Sequence, residues 1–125
     1  MKKLGVIILN WNGEELLKKF IPQASEYTVS DEADLIVADN GSSDNSLAWL
    51  AKNHPEVMTI RLDKNYGFSE GYNRAIKDAE YEYIVLLNSD VEVTPDWWKP
   101  MLSFMEKNLD AGAIQPKILS FAEKN

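Results

Sequence analysis

Tyr83-Ile84-Val85-Leu86-Leu87-Asn88-Ser89-Asp90-Val91-Glu92 is the stretch on which the reading of this chain turns. An apolar run ends abruptly at side chains that carry oxygen: Asn88, Asp90 and Glu92. Alternate residues of an extended segment point the same way, so these three share a side. A short continuous apolar run is expected of a strand buried on both faces of a parallel sheet. Oxygen donors at its end, open on one side, suit Mg²⁺ or Mn²⁺. These hard cations are held by one or two carboxylates and keep positions for water and substrate phosphates. Asp90 is the first candidate ligand and Asn88 a weaker one, with Glu92 able to help through a water.

Working outward, residues 4–9 and 35–38 are further continuous apolar runs. Residues 57–62 and 113–119 are weaker and more alternating, which predicts strands toward the edges of a sheet. Helical patterns lie between them. Leu16, Leu17, Phe20 and Ile21 predict one apolar face, and Leu47, Leu50 and Ala51 another, with Ser43 or Asp44 as N-cap. Phe68, Tyr72, Ala75, Ile76 and Ala79 fall at helical spacing. Thr94 as N-cap and Pro95 at the first helical position predict a fourth helix with Trp98, Met101, Leu102 and Met105 as its stripe. Pro100 then predicts a kink, or two short helical pieces. Strand and helix alternate, so the expected fold is an α/β three-layer sandwich with a mainly parallel sheet, central order 3-2-1-4 and right-handed crossovers.

In such sheets ligands bind beyond the carboxyl ends of the strands. Each unusual polar cluster here comes directly after a strand: Asn10-Trp11-Asn12-Gly13, Asp39-Asn40-Gly41-Ser42-Ser43-Asp44, Asp63-Lys64-Asn65-Tyr66-Gly67 and Asn88-Ser89-Asp90. Any one alone reads as an ordinary turn; four on one rim read as a site. Asp39 and Asp44 can be caps, since Asp and Asn are favoured there for backbone reasons. Asp39 can equally accept hydrogen bonds from a nucleoside. Phe68 and Tyr72 read as core. Arg74 can meet a phosphate or remain solvated. His54 reads as a surface C-cap of the second helix. One of Trp97 and Trp98 reads as core, and the other can line a sugar or acceptor pocket.

The 125 residues make one domain with one core, and 45% hydrophobic content marks a globular chain. A net charge of −7 argues against a nucleic-acid partner, which needs clustered Lys and Arg. With no cysteine, disulfides and thiolate metal sites are excluded. Met1-Lys2-Lys3 and the apolar run after it open like a signal peptide, but the run is too short and lacks a cleavage site. No run reaches membrane-spanning length. The expectation is a cytoplasmic domain, peripheral at the inner face of the membrane if part of a longer protein.

Four ordered motifs carry a family resemblance: Val6 through Gly13, Val37 through Asp44, Asn65-Tyr66-Gly67-Phe68 with Gly71 and Asn73, and Leu86-Leu87-Asn88-Ser89-Asp90. Together they span nearly the whole chain, which resembles the inverting family 2 glycosyltransferases of the Rossmann-like GT-A fold, particularly the bacterial rhamnosyltransferase-like branch. The resemblance implies a nucleotide-diphosphate sugar donor, a Mg²⁺ or Mn²⁺ ion, and an acceptor saccharide or lipid-linked saccharide in cell-surface polysaccharide synthesis. It implies nucleotide contacts from Leu9, Asn10, Trp11, Asn12, Asp39, Ser42, Asn65, Gly67, Phe68 and Asn73, with Asp90 at the metal. The family's metal motif often opens on Asp; Asn88 stands there, able to ligate without charge, and that substitution is common in the named branch. The family also continues into an acceptor-binding half with an acidic general base. Nothing downstream of Asp90 matches that base, so residues 1–125 read as the donor-binding half, with the catalytic residue unassigned and Glu92 and Asp96 only weak candidates. An uncovered strand at residues 113–119 would invite a homo-oligomer through the C-terminal edge.

Two other readings compete. One is a non-catalytic nucleotide-sugar-binding module. The other is a nucleotidyltransferase, which shares the sheet type but needs a Gly- and Arg-rich loop where Asn10-Trp11-Asn12-Gly13 stands.

Overall fold

The structure is a computed structural model that describes residues 2–122. Its order is β1 (Leu4–Asn10), α1 (Glu14–Thr28), β2 (Ala33–Asp39), α2 (Ser46–Asn53), β3 (Met58–Arg61), α3 (Phe68–Lys77), β4 (Tyr83–Leu87) and α4 (Lys99–Lys107). The sheet runs β3-β2-β1-β4 with every pairing parallel, as the alternation of strand and helix predicts. The register pairs Asn10 with Asp39 and Ile8 with Leu87, so the polar ends of the strands stand level on one rim.

Alternation along β1 builds two cores. Leu4, Val6 and Ile8 join Leu35, Val37, Leu17, Ile21, Leu50, Trp98 and Leu102, so α1, α2 and α4 cover one face. Ile7 joins Ile36, Ala38, Tyr72 and Ala75 under α3 on the other. Full burial of each Val, Leu or Ile side chain among these stabilises the fold by about 1.5–3 kcal/mol.

Four expectations are corrected. Residues 113–119 form no strand; they run on without regular structure, largely exposed. Among the described residues no neighbouring strand pairs with them, and alternation alone satisfies no backbone N–H. β4 is not buried on both faces, because α3 lies over β1 and β2 and leaves Ile84 and Leu86 uncovered. The fourth helix begins at Lys99, not after Thr94, with Pro100 in its first turn. Pro100 therefore kinks nothing: its missing N–H is one that the first turn leaves unbonded anyway. Phe68 is not core but 65% exposed, whereas Tyr72 is buried beside it.

Candidate active site

The rim is built by hydrogen bonds between loops that are far apart in sequence. Asn10 is buried at the end of β1, and its Nδ2 donates to Asp39 Oδ1 (2.9 Å) and Ser46 Oγ (3.0 Å), with Ser42 Oγ also within reach at 3.2 Å. Asp39 Oδ2 accepts the Ser42 amide at 3.0 Å, which folds the loop back over the end of β2. Asn12 stands at φ 48° and latches the first loop to the second. Its Oδ1 accepts the Ser43 amide at 2.8 Å, and its own N–H donates to Ser42 Oγ at 2.8 Å. Asn10, Asn12, Asp39 and Ser42 are thus one connected unit, and Leu9, just before Asn10, lines the cleft described below. Trp11 stands out from it, 55% exposed.

A second unit hangs on Asn40. Its Nδ2 donates to Asn65 Oδ1 (3.1 Å) and the Gly67 carbonyl (2.9 Å), and its Oδ1 accepts the Tyr66 amide (2.9 Å). Asn65 therefore serves the loop: its Oδ1 also accepts the Gly67 amide at 2.8 Å. The Tyr66 hydroxyl donates to Asp63, which holds that carboxyl below its usual range. Arg74 lies 3.8 Å from the Tyr66 ring centroid and pairs with Glu70, one turn earlier on α3, at 2.9 Å, in an exposed position.

A cleft of about 280 Å³ opens between the starts of α1 and α3 and the end of β4. Leu9, Leu16, Phe68 and Tyr72 make an apolar floor; Asn88, Ser89 and Asp90 make one wall. Asn73 is exposed on α3 and does not line this cleft. The Tyr72 hydroxyl donates to the Leu87 carbonyl at 2.9 Å, and burial pushes its pKa up. This bond ties α3 to the strand that carries Asp90. Among the described residues no three His, Asp or Glu side chains converge. One exposed carboxylate beside a neutral amide fits a cation held mainly by water and a diphosphate, and does not fit a closed protein cage.

Other candidates fall outside. Asp96 pairs with Lys99 at 2.6 Å in a turn anchored to the far end of α1. That anchor uses both tryptophans: Trp97 Nε1 donates to Thr28 Oγ1 at 3.0 Å and Trp98 Nε1 to the Tyr27 carbonyl at 3.1 Å. Neither lines the cleft. His54 caps α2, as expected, with Nδ1 2.9 Å from Glu56 Oε1. Sequence reasoning missed Asn40 and Ser46. Asn40 read only as half of a turn, and no pattern marks a serine at a helix start as fully buried.

Residues 5–125 match the profile of Glycosyl transferase family 2. Over 97 residues the chain is 31% identical to an uncharacterized glycosyltransferase, YfnE, of Bacillus subtilis, covering 75% of this chain and 24% of that protein. Over 116 residues it is 28% identical to an undecaprenyl-phosphate 4-deoxy-4-formamido-L-arabinose transferase of Yersinia enterocolitica, covering 88% and 36%. It is 33% identical over 86 residues to a poly-beta-1,6-N-acetyl-D-glucosamine synthase of Staphylococcus epidermidis, covering 66% and 21%. The chain thus spans between a fifth and two fifths of these relatives. The crystal structure of S. aureus TarS 1–349 in complex with UDP-GlcNAc superposes with a TM-score of 0.74 over 92% of this chain and 37% of that one, at 21% identity, which shows a shared fold. The four motifs, the 3-2-1-4 parallel sheet and the profile match agree, and the chain belongs to glycosyl transferase family 2.

Proposed function

We propose that residues 1–125 are the donor-binding part of a glycosyltransferase that moves a sugar from a nucleotide diphosphate to an acceptor hydroxyl in bacterial cell-surface polysaccharide synthesis. One observation carries this reading: the Asn10–Asp39 unit and Asp90 stand on the same rim, with an apolar-floored cleft beside Asp90. The transferase and synthase relatives support the class of reaction, and the TarS complex supports a nucleotide sugar as donor. Asn88-Ser89-Asp90 supports the rhamnosyltransferase-like branch. An acceptor that is a saccharide or lipid-linked saccharide agrees with the relative that acts on undecaprenyl phosphate. Among the described residues no helix is long and apolar enough to cross a membrane. We read the domain as cytoplasmic, peripheral at the inner membrane face within a longer protein.

Each residue then has a task. Trp11 offers an exposed ring face to a base, and Asp39 accepts hydrogen bonds from the nucleoside. Leu9, Phe68 and Tyr72 keep water from beneath the diphosphate, where a drier surrounding strengthens charge interactions. Asp90, with Asn88, would hold Mg²⁺ or Mn²⁺, which neutralises charge on the departing diphosphate. The acceptor hydroxyl would attack the anomeric carbon in line, a base taking its proton as the bond from that carbon to the diphosphate oxygen breaks. Self-association through exposed apolar residues near β4 and the C-terminal segment belongs to the same reading.

Calorimetry with UDP, dTDP and GDP, with and without Mn²⁺, tests it. We expect one of them to bind more tightly with metal, Asp90→Ala to remove that metal dependence, and Asp39→Ala to weaken binding even without metal. Absence of binding by all three at millimolar concentration sinks the reading.

A further inference from the structure

One exposed carboxylate joins the starts of two helices. Asp44 Oδ2 accepts the Glu14 amide, the first of α1, at 3.1 Å. Asp44 Oδ1 accepts the amide and the hydroxyl of Ser46, the first residue of α2, at 3.1 and 2.5 Å. Burial pushes the Asp44 pKa up, but these Ser46 and Glu14 donors outweigh it and hold the carboxyl below its usual range. A plain helix cap needs only such local donors.

The Ser46 hydroxyl reaches further than a cap requires. Ser46 is 0% exposed. Its single hydroxyl proton goes to Asp44, so toward Asn10 its oxygen can only accept. Asp39 Oδ1 is likewise an acceptor. Both therefore demand Asn10 Nδ2, at 3.0 and 2.9 Å, and this determines which way the amide faces. The consequence is visible: Asn10 Oδ1 is left buried without a partner. Gly13 makes room for it, since a Cβ there would stand 2.5 Å away. The chemistry of the side chains and the direction of the bonds together make a relay, Asp44 to Ser46 to Asn10 to Asp39, that crosses from α2 to β1 to β2.

We infer that Ser46, held by Asp44, is a positioning residue that acts through Asn10 to fix the direction in which Asp39 presents its carboxylate to the nucleoside. The purpose rests on the proposed nucleotide-binding function; the geometry does not. Asp39 is 3% exposed and gripped from both sides, by Asn10 on Oδ1 and by the Ser42 amide on Oδ2. A small rotation changes what its remaining lone pairs meet.

The test uses Ser46→Ala, a small change at a buried site, and Asp44→Ala, at an exposed one. Without nucleotide, hydrogen exchange of the Ser42 amide reads the hold on Asp39. It should speed up by about tenfold in Ser46→Ala while strand amides such as that of Ile7 stay unchanged. With UDP, dTDP or GDP, whichever binds, Ser46→Ala should weaken affinity by about tenfold in the natural background and not at all on top of Asp39→Asn. Asp44→Ala should behave like Ser46→Ala in both readouts. Unchanged Ser42 exchange in both variants overturns the inference. So does an equal loss of affinity with and without the Asp39 carboxylate, which marks Ser46 as purely structural. If Ser42 exchange responds but no nucleotide binds, the positioning of Asp39 stands and the nucleotide-binding function falls.

Discussion

At the scale of single residues, backbone geometry and burial make the sharpest tests. Gly41 has φ +78°, and a Cβ there would stand 2.7 Å from the Lys64 backbone. Gly67 has φ +82° but open space around it. Gly41→Ala should therefore cost about 2–3 kcal/mol, strain plus a backbone clash, and Gly67→Ala about 1–2 from strain alone. Urea denaturation of both variants checks the order. Tyr81 offers a pH test. Burial, then the Asp34 carboxylate that its hydroxyl reaches at 2.8 Å, pushes its pKa up to about 12. The folded value exceeds the usual 10.0, so the stability it contributes is complete below pH 10 and is lost as pH rises through 12. Tyr81→Phe should flatten that alkaline limb, measured by thermal melts across the window. An unchanged slope counts against it. Asp39 was legible as a candidate because an acid ending a buried strand is unusual. Ser46 was not, because its importance lies in what it reaches.

At the scale of elements, the segment before α4 was the hardest to read. Thr94-Pro95 has the composition of a helix start, yet residues 95–98 make only a turn. The two indole N–H groups bind the end of α1 and hold the turn there. Pro100 lies in the first turn of α4, where its missing N–H costs nothing. Pro100→Ala should therefore change stability by less than about 0.5 kcal/mol, whereas relief of a mid-helix proline would stabilise by several times that. Trp98 is the opposite case: buried, hydrogen-bonded and part of the same core as Leu17, Leu50 and Leu102. Trp98→Ala should cost about 3–5 kcal/mol in chemical denaturation. A loss below about 1 kcal/mol would mean that the segment is not docked.

At the scale of the whole molecule, the two sheet faces are unequally covered. Among the described residues α3 is the helix that packs on one face, and Leu86 on β4 is 54% exposed. Leu109, Ile118 and Leu119 add exposed apolar area along the C-terminal segment. Contiguous apolar surface favours association, while a charge of −7 opposes it most at low salt. Light scattering over a concentration series should show reversible self-association that strengthens with salt. Leu86→Glu should weaken it with little effect on melting, since the position is already exposed. A monomer at every concentration and salt would refute this.

The sequence alone determined the order of elements, the parallel 3-2-1-4 sheet and the rim that gathers Asn10, Asp39, Asn65 and Asp90. The elements follow from period and from where apolar runs stop, which are local properties of the chain; the parallel sheet and its order follow from the alternation of strand and helix with polar clusters after each strand. It also carried the family, through four motifs in order. Only the tertiary structure decided that β4 is half uncovered, that residues 113–119 pair with no strand among the described residues, and that Phe68 lines the cleft largely exposed instead of joining the core. Apolar character says that a side chain gains from being covered; it does not say which element arrives to cover it. The relay from Asp44 to Asp39 was decided there too. It joins residues up to 36 apart, and hydrogen bonds over that separation depend on which loops the fold brings together.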